Sequence, residues 1–125
     1  MNALEQARMA YSSPAAPLRT ARETEFEAIV AITRALKQAS ANSKTNFKAL
    51  VAALHRNRQL WTILAGDVAD PANELPQELR ARIFYLAEFT IHHTSEVLAG
   101  RADAEPLIDV NTAIMLGLRA QEAGR

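Results

Sequence analysis

The chain has 125 residues, with 14 acidic residues against 14 lysines and arginines, and it contains no cysteine. This length predicts one domain, which spans residues 1–125. The absence of cysteine excludes disulfides, thiolate nucleophiles and cysteine metal sites, and it favours a reducing compartment. Apolar residues make up 49% of the chain but aromatic residues only 6%, so we expect a core of aliphatic side chains and alanine.

No segment predicts export or insertion into a membrane. The N-terminal run MNALEQARMAYSS contains charged side chains and lacks the apolar stretch of an export signal. Elsewhere, no run approaches the roughly 18 uncharged apolar residues of a membrane-spanning helix. We therefore expect a cytoplasmic protein.

The neutral total charge conceals two oppositely charged segments. Residues 19–58 contain eight lysines and arginines against three glutamates, whereas residues 67–109 contain nine acidic residues against three arginines. The simpler interpretation is that the two segments attract each other within the fold, and the alternative is a basic surface for an acidic partner. Direct RNA binding is not favoured, because the basic segment lacks a regular alternation of aromatic and basic residues.

A short helix is predicted at the N-terminus. Asn2 and Glu5 have the spacing of an N-cap and its N3 glutamate, and the run Ser12-Ser13-Pro14 ends the helix. Proline disfavours helical backbone in the residue before it, so Pro14 and Pro17 predict an extended segment.

Two longer helices follow in the first half of the chain. Thr20 and Glu23 form a second capping box and open one of them. The polar segment SANSKTN at residues 40–46 is a loop, and the next helix starts near Asn46. The inward faces of these two helices are predicted from their apolar spacing: Phe26, Ile29, Val30, Ile32, Leu36, Phe47, Leu50, Val51, Leu54, Trp61, Leu64, Ala65 and Val68.

The fourth helix is apolar on more than one face. It opens at Pro76, after a turn at residues 70–73, and ends before Gly100, which is a left-handed cap. Residues 83–91 are nearly all apolar, which is typical of a helix that is buried on most sides. We therefore predict that this helix is the central core element, with three side chains inward: Phe84, Leu86 and Phe89.

The last helix opens at Glu105 and Pro106, and residues 119–125 are expected to fray. No sustained alternation or hairpin signal predicts a strand. The sequence thus predicts an all-α fold, a single small bundle of about five helices.

The chain carries no motif for catalysis, cofactors or metals. Its three histidines do not form a zinc-binding HExxH pattern, and its four glycines cannot form a phosphate loop. Glu88, His92 and Glu96 share one helix face, but no second helix offers matching ligands, so solvated side chains are favoured over a metal site. We predict no catalytic, cofactor-binding or metal-binding residues and no enzymatic activity.

Four residues are candidates for contact with a protein partner: Arg56, Arg58, Trp61 and Phe89. Trp61 lies on an apolar stripe, so core packing is the simpler interpretation and partner contact is the alternative. The two arginines are suited to binding carboxylates of a partner, or to pairing with the acidic turn Asp67–Glu74.

Three stretches resemble a known family. They are the opening MNALEQARMAYSSPAAPLRTARETEFEAI, the middle NRQLWTILAGDVADPANELPQELRARIFYLAEFTIHH, and the ending VLAGRADAEPLIDVNTAIMLGLR. Together they cover nearly the whole chain and resemble the FlaF family of flagellar biosynthesis regulators of alphaproteobacteria. The resemblance implies a non-enzymatic protein that is needed for flagellin synthesis and secretion.

The resemblance leaves two functions open. In the first, the protein binds flagellin in the cytoplasm as an export chaperone, holding an amphipathic segment by helix-in-groove packing. In the second, it regulates flagellin after transcription, acting with the translational regulator FlbT or on flagellin messenger RNA. A self-associating helical scaffold is a third and simpler possibility.

Overall fold

A computed structural model describes the backbone of residues 17–42 and 44–123, and the side chains of residues 26–42 and 44–117. Its regular elements are four helices: α1 (Pro17–Ala41), α2 (Phe47–Ala69), α3 (Gln77–Leu98) and α4 (Glu105–Ala123). The all-α class is therefore confirmed. The count is four rather than about five, because the predicted first helix falls within residues 1–16, outside the described part of the chain.

Helices α2 and α3 run antiparallel. Arg80, near the start of α3, contacts the last turn of α2 at Val68, while Leu98 at the end of α3 shares a groove with Val51 near the start of α2. At the junction between α3 and α4, the Nε2 atom of His93 lies 2.9 Å from the carbonyl oxygen of Asp103, just before α4. All four helices meet around a common set of apolar side chains: Ile29, Leu64, Ile83 and Ile114.

Helix α1 starts earlier than the sequence predicts. Its first residue is Pro17, whereas an extended segment was expected there with the start at Thr20. The ring of proline fixes a φ angle that suits the first helical turn, where the missing N–H group needs no partner. For α2 the prediction is confirmed, since the side chain of Asn46 caps the helix by accepting a hydrogen bond from the backbone N–H of Ala49.

The end of α3 is confirmed as a glycine cap. Gly100 has a φ angle of +78°, and its N–H donates to the carbonyl of Val97 while the N–H of Arg101 donates to that of Glu96. This pair of bonds is the Schellman motif.

The side chain of Arg101 also donates to Glu96 at 2.7 Å, and this hydrogen bond lowers the pKa of the Glu96 carboxyl below its ordinary value. The stabilisation of the folded state by this ion pair is therefore lost as the pH falls through the lowered pKa of Glu96.

Helix α2, rather than α3, is the central element. Its largest contacts are with α3 on one side and α1 on the other, and its buried face includes Leu54 and Trp61, both without any exposed surface. Burial of this face, about 1.5–3 kcal/mol for each large apolar side chain, contributes much of the hydrophobic stabilisation of the bundle. The apolar core draws on all four helices: Ile29, Ile32, Leu36, Ala39, Leu50, Ala53, Leu54, Leu60, Trp61, Leu64, Val68, Ile83, Ala87, Val97, Ala104, Leu107, Ile108 and Ile114.

The prediction that α3 is the central helix, with Phe84 inward, is wrong. Phe84 is 42% exposed and Tyr85 is 70% exposed, while Leu86 and Phe89 are half-buried against the core. Successive residues of a helix point about 100° apart, so a nearly continuous apolar run cannot all face one neighbour. The buried face of α3 instead follows helical spacing and consists largely of small residues: Ile83, Ala87, Thr90, Thr94 and Val97.

Two residues of the predicted α2 stripe also point outward. Phe47 is 53% exposed and Val51 is exposed as well, because Phe47 is the first residue of the helix and Val51 lies on its outer flank. In α4 the helical backbone continues to Ala123, so residues 119–123 of the expected tail belong to the helix and residues 124–125 lie outside the described part.

Arg80 fixes the loop between α2 and α3. Its Nε and Nη2 atoms donate to the carbonyl oxygen of Val68 at 3.1 and 3.0 Å, and Nη2 also donates to the carbonyl of Asp70 at 3.0 Å. These bonds satisfy carbonyls at the C-terminus of α2 that have no partner within the helix. A charged donor on the last carbonyls of a helix also complements the negative end of its dipole.

We expect Arg80→Met to lower the free energy of unfolding by about 1.5–3 kcal/mol, because methionine keeps the apolar stem but removes the charged donors. Arg82→Met is the control, since Arg82 is exposed and has no hydrogen-bond or ion-pair partner among the described residues. Its effect should stay within about 0.5 kcal/mol. Urea unfolding followed by far-UV circular dichroism measures both, and equal effects would contradict the role given to Arg80.

Candidate partner-binding surface

Trp61 lies in the core of the bundle. Its side chain has 0% exposed surface, and its Nε1–H donates a hydrogen bond of 2.8 Å to Oδ1 of Asn111 in α4. Of the two interpretations that the sequence left open, core packing is the one observed. A partner could touch this indole only if the helices separated.

A chain of polar groups continues from Trp61 through the core. Asn111 donates from Nδ2 to Oδ1 of Asn57 at 2.8 Å, and both asparagines are fully buried. Each bond joins α2 to α4. The Nδ2 group of Asn57 and the hydroxyl of Thr90 make no hydrogen bond within the described part of the chain. This network was not predictable from the sequence, because an asparagine between two arginines has the pattern of an exposed residue.

Arg56 and Arg58 lie on opposite flanks of α2. Arg56 is exposed and lines a groove between α1 and α2, whereas Arg58 is half-buried and lines a groove between α2 and α3. Two positions apart on a helix correspond to a rotation of about 200°, so the two side chains cannot serve one contact surface. None of the described acidic side chains pairs with either arginine, and the acidic turn is held by Arg80 instead.

Phe89 is half-buried, packs against the core and stacks on His93, with ring centroids 5.3 Å apart and planes inclined by 17°. Offset aromatic stacking adds to the burial of both rings. The four residues predicted as a partner surface are therefore not brought together. Trp61 is internal, Phe89 supports the core, and the two arginines line different grooves.

Exposed apolar side chains line the α2/α3 groove. We use this name for the surface whose walls are Val51, His55 and Arg58 from α2 and Phe84, Ile91 and Leu98 from α3. At one end of it, a cavity of about 370 Å³ is lined by six residues: Lys48, Val51, Ala52, His55, Arg58 and Leu98.

The α3 wall of the groove carries three apolar side chains in a line. Phe84, Ile91 and Leu98 are all exposed and are spaced by seven residues, which places them on one line along the helix. The line spans about 21 Å, or four turns of helix. Small residues on the buried face of α3 allow this helix to pack closely against α2. The larger side chains Phe84, Ile91 and Leu98 therefore lie on its flank. Residues 83–91 contain more apolar side chains than one face of a helix can bury. This excess was the signal in the sequence for an exposed apolar line.

The α2 wall of the same groove is basic. Lys48, His55 and Arg58 follow each other along this flank, and Lys48 and His55 are exposed. On the α3 side, Glu88 is the charged residue between Phe84 and Ile91. An apolar floor with charged edges is the arrangement that binds an amphipathic helix.

Metal binding and membrane crossing find no support in the described residues. No group of three or more histidine and acidic side chains there is arranged to hold a metal ion, and His92 lies 4.0 Å from Glu96 without a third ligand. Among the helices of residues 17–123, none has both the length and the apolar content needed to cross a membrane.

With the bundle and its groove established, comparison with known families assigns the chain. The profile of the family described as flagellar protein FlaF matches residues 7–118, nearly the whole sequence. The chain belongs to the FlaF family of flagellar proteins. No curated protein and no solved structure matches it.

The buried polar network predicts unequal effects for two substitutions of the same size. Asn111→Ala leaves two buried groups without partners, the Nε1–H of Trp61 and the Oδ1 of Asn57, and should cost about 2–5 kcal/mol of unfolding free energy. Asn57→Ala leaves only the Nδ2 group of Asn111 without a partner, and it removes an Nδ2 group that already lacks one. It should therefore cost clearly less.

Urea unfolding of both asparagine variants, followed by far-UV circular dichroism, measures the difference. The two side chains lose the same atoms, so cavity formation is matched to a first approximation. A larger loss for Asn57→Ala than for Asn111→Ala would contradict the bonding pattern described here.

Proposed function

We propose that this FlaF-family protein binds flagellin in the cytoplasm and assists its secretion as an export chaperone. Membership of a family of flagellar proteins supplies the flagellar context. The α2/α3 groove is the observation that carries the chaperone role, because Phe84, Ile91 and Leu98 form an exposed apolar line beside it. Exposed apolar patches of this kind mark binding surfaces.

The groove suits a helix better than an extended peptide. An exposed strand edge would be needed to add a β-strand, and the described residues contain helices alone as regular elements. A ligand helix could lie between the two walls and pack its apolar stripe against the apolar side chains of the groove. Secreted flagellin has amphipathic terminal segments that are unstructured before assembly, so such a segment would fold as it binds.

Post-transcriptional regulation through FlbT or flagellin messenger RNA is the alternative that the sequence left open. Direct RNA contact would depend on neutralising phosphates, so its affinity would fall steeply with salt and would be lost when Lys48, Arg56 and Arg58 are neutralised. The same purified protein, titrated with flagellin messenger RNA at two salt concentrations, tests this alternative beside the chaperone role.

We expect the purified protein to form a 1:1 complex with flagellin, and Ile91→Ser to weaken that complex by about tenfold or more. The substitution removes an exposed apolar contact from the middle of the groove, and 1.4 kcal/mol corresponds to a factor of ten in Kd. Isothermal titration calorimetry measures both stoichiometry and Kd. An exposed residue is chosen because substituting Trp61 or Phe89 would disturb the core.

Tyr85→Ser is the matched control. Tyr85 is the more exposed residue, at 70%, and lies on the face of α3 that points away from α2, so its loss should leave the Kd within about twofold. Absence of any flagellin complex with the wild-type protein would exclude the chaperone role. Equal weakening by both variants would exclude the groove as the contact.

A further inference from the structure

The two walls of the α2/α3 groove differ in charge. The α2 wall carries Lys48, His55 and Arg58, and no described acidic side chain forms an ion pair with any of them. The spacings of seven and three residues keep the three side chains on one flank of the helix. Because Lys48 and Arg58 have no acidic partner within the described part of the chain, their charges form no ion pair that would stabilise the bundle itself.

The α3 wall lacks this basic character. Between its apolar residues, the outward positions of the same flank are Glu88 and Ser95. The groove therefore has an apolar centre, a basic edge on α2 and a neutral to acidic edge on α3. A ligand without carboxylates beside its apolar stripe would leave the basic edge unpaired, and one with carboxylates on both flanks would bring like charge to the Glu88 edge.

We infer that the occupant of the groove is an amphipathic helix whose apolar stripe is flanked on one side by carboxylates, and that these carboxylates face α2. Lys48 and Arg58 are ten residues apart, or about 15 Å along the helix. Ligand carboxylates with a similar separation, on one flank, would meet both. The apolar contacts supply most of the affinity, and the charges select the ligand and fix which of its flanks faces α2.

This inference rests on the proposed function only in taking a helix as the ligand, and it defines the chemistry of that ligand. It is tested with two synthetic peptides of about 18 residues that share one apolar stripe. One carries glutamates on the flank beside the stripe, and the other carries lysines at the same positions. Fluorescence anisotropy of labelled peptides gives their Kd values for the full-length protein.

We expect the glutamate peptide to bind the wild-type protein more tightly than the lysine peptide. Arg58→Glu should weaken the glutamate peptide by about three- to tenfold and strengthen the lysine peptide, since reversing one charge at the edge of the groove changes a weak ion pair into a repulsion. Lys48→Glu, at an exposed position, should act in the same direction. Far-UV circular dichroism checks that both variants are folded.

Arg56→Glu is the matched control, because it makes the same charge change on the same helix but in the α1/α2 groove. It should leave both peptides within about twofold of the wild-type values. Equal binding of the two peptides, or equal effects of Arg56→Glu and Arg58→Glu, would overturn the inference. A wild-type dimer that Ile91→Ser dissociates would overturn it too, because a second copy would then cover the groove.

The outcome is separable from that of the proposed function. If flagellin fails to bind while the glutamate peptide binds as expected, the inference holds and the chaperone role fails. The opposite outcome is that flagellin binds the wild-type protein, but the Kd values of flagellin and of both peptides are unchanged by Arg58→Glu and Lys48→Glu. In that case the chaperone role holds and the inference fails.

Discussion

The hydrogen bonds from Trp61 to Asn111 and from Asn111 to Asn57 constrain the rest of the bundle. They join α2 to α4 through the core, at residues that are fully buried, and a buried polar group without its partner costs more than a satisfied one gains. The two helices can therefore pack in few registers. Once α2 is held in this way, α1 and α3 pack on its two flanks. The α2/α3 groove lies on the outer side of the contact between α2 and α3.

Much of the fold follows from local chemistry and was predictable from the sequence. The N-cap at Asn46, the left-handed Gly100 and the turn at residues 70–73 each depend on a few neighbouring residues, so their patterns suffice. The resemblance to the FlaF family rested on long stretches of sequence and was confirmed over residues 7–118. The start of α1 was missed because Pro17 can either end an extended segment or begin a helix.

The candidate site was less predictable, because it depends on which helices are neighbours. Sequence spacing put Phe84 and Trp61 on apolar stripes, yet Trp61 is buried and Phe84 is exposed, because Phe84 lies outside the buried face of α3. Likewise, Arg56 and Arg58 are close in sequence but line separate grooves. An asparagine in the core, such as Asn57, becomes recognisable only when its partner on α4 is known.

The position of the single tryptophan has a practical consequence. Trp61 is bonded to α4 and has no exposed surface, so a ligand in the α2/α3 groove of the closed bundle does not touch its ring. Its emission therefore reports the separation of α2 from α4, and a ligand seated between α2 and α3 would leave it nearly unchanged. A ligand that shifted the emission strongly would have to open the core. One intrinsic fluorophore thus distinguishes docking on a closed bundle from insertion into an opened one.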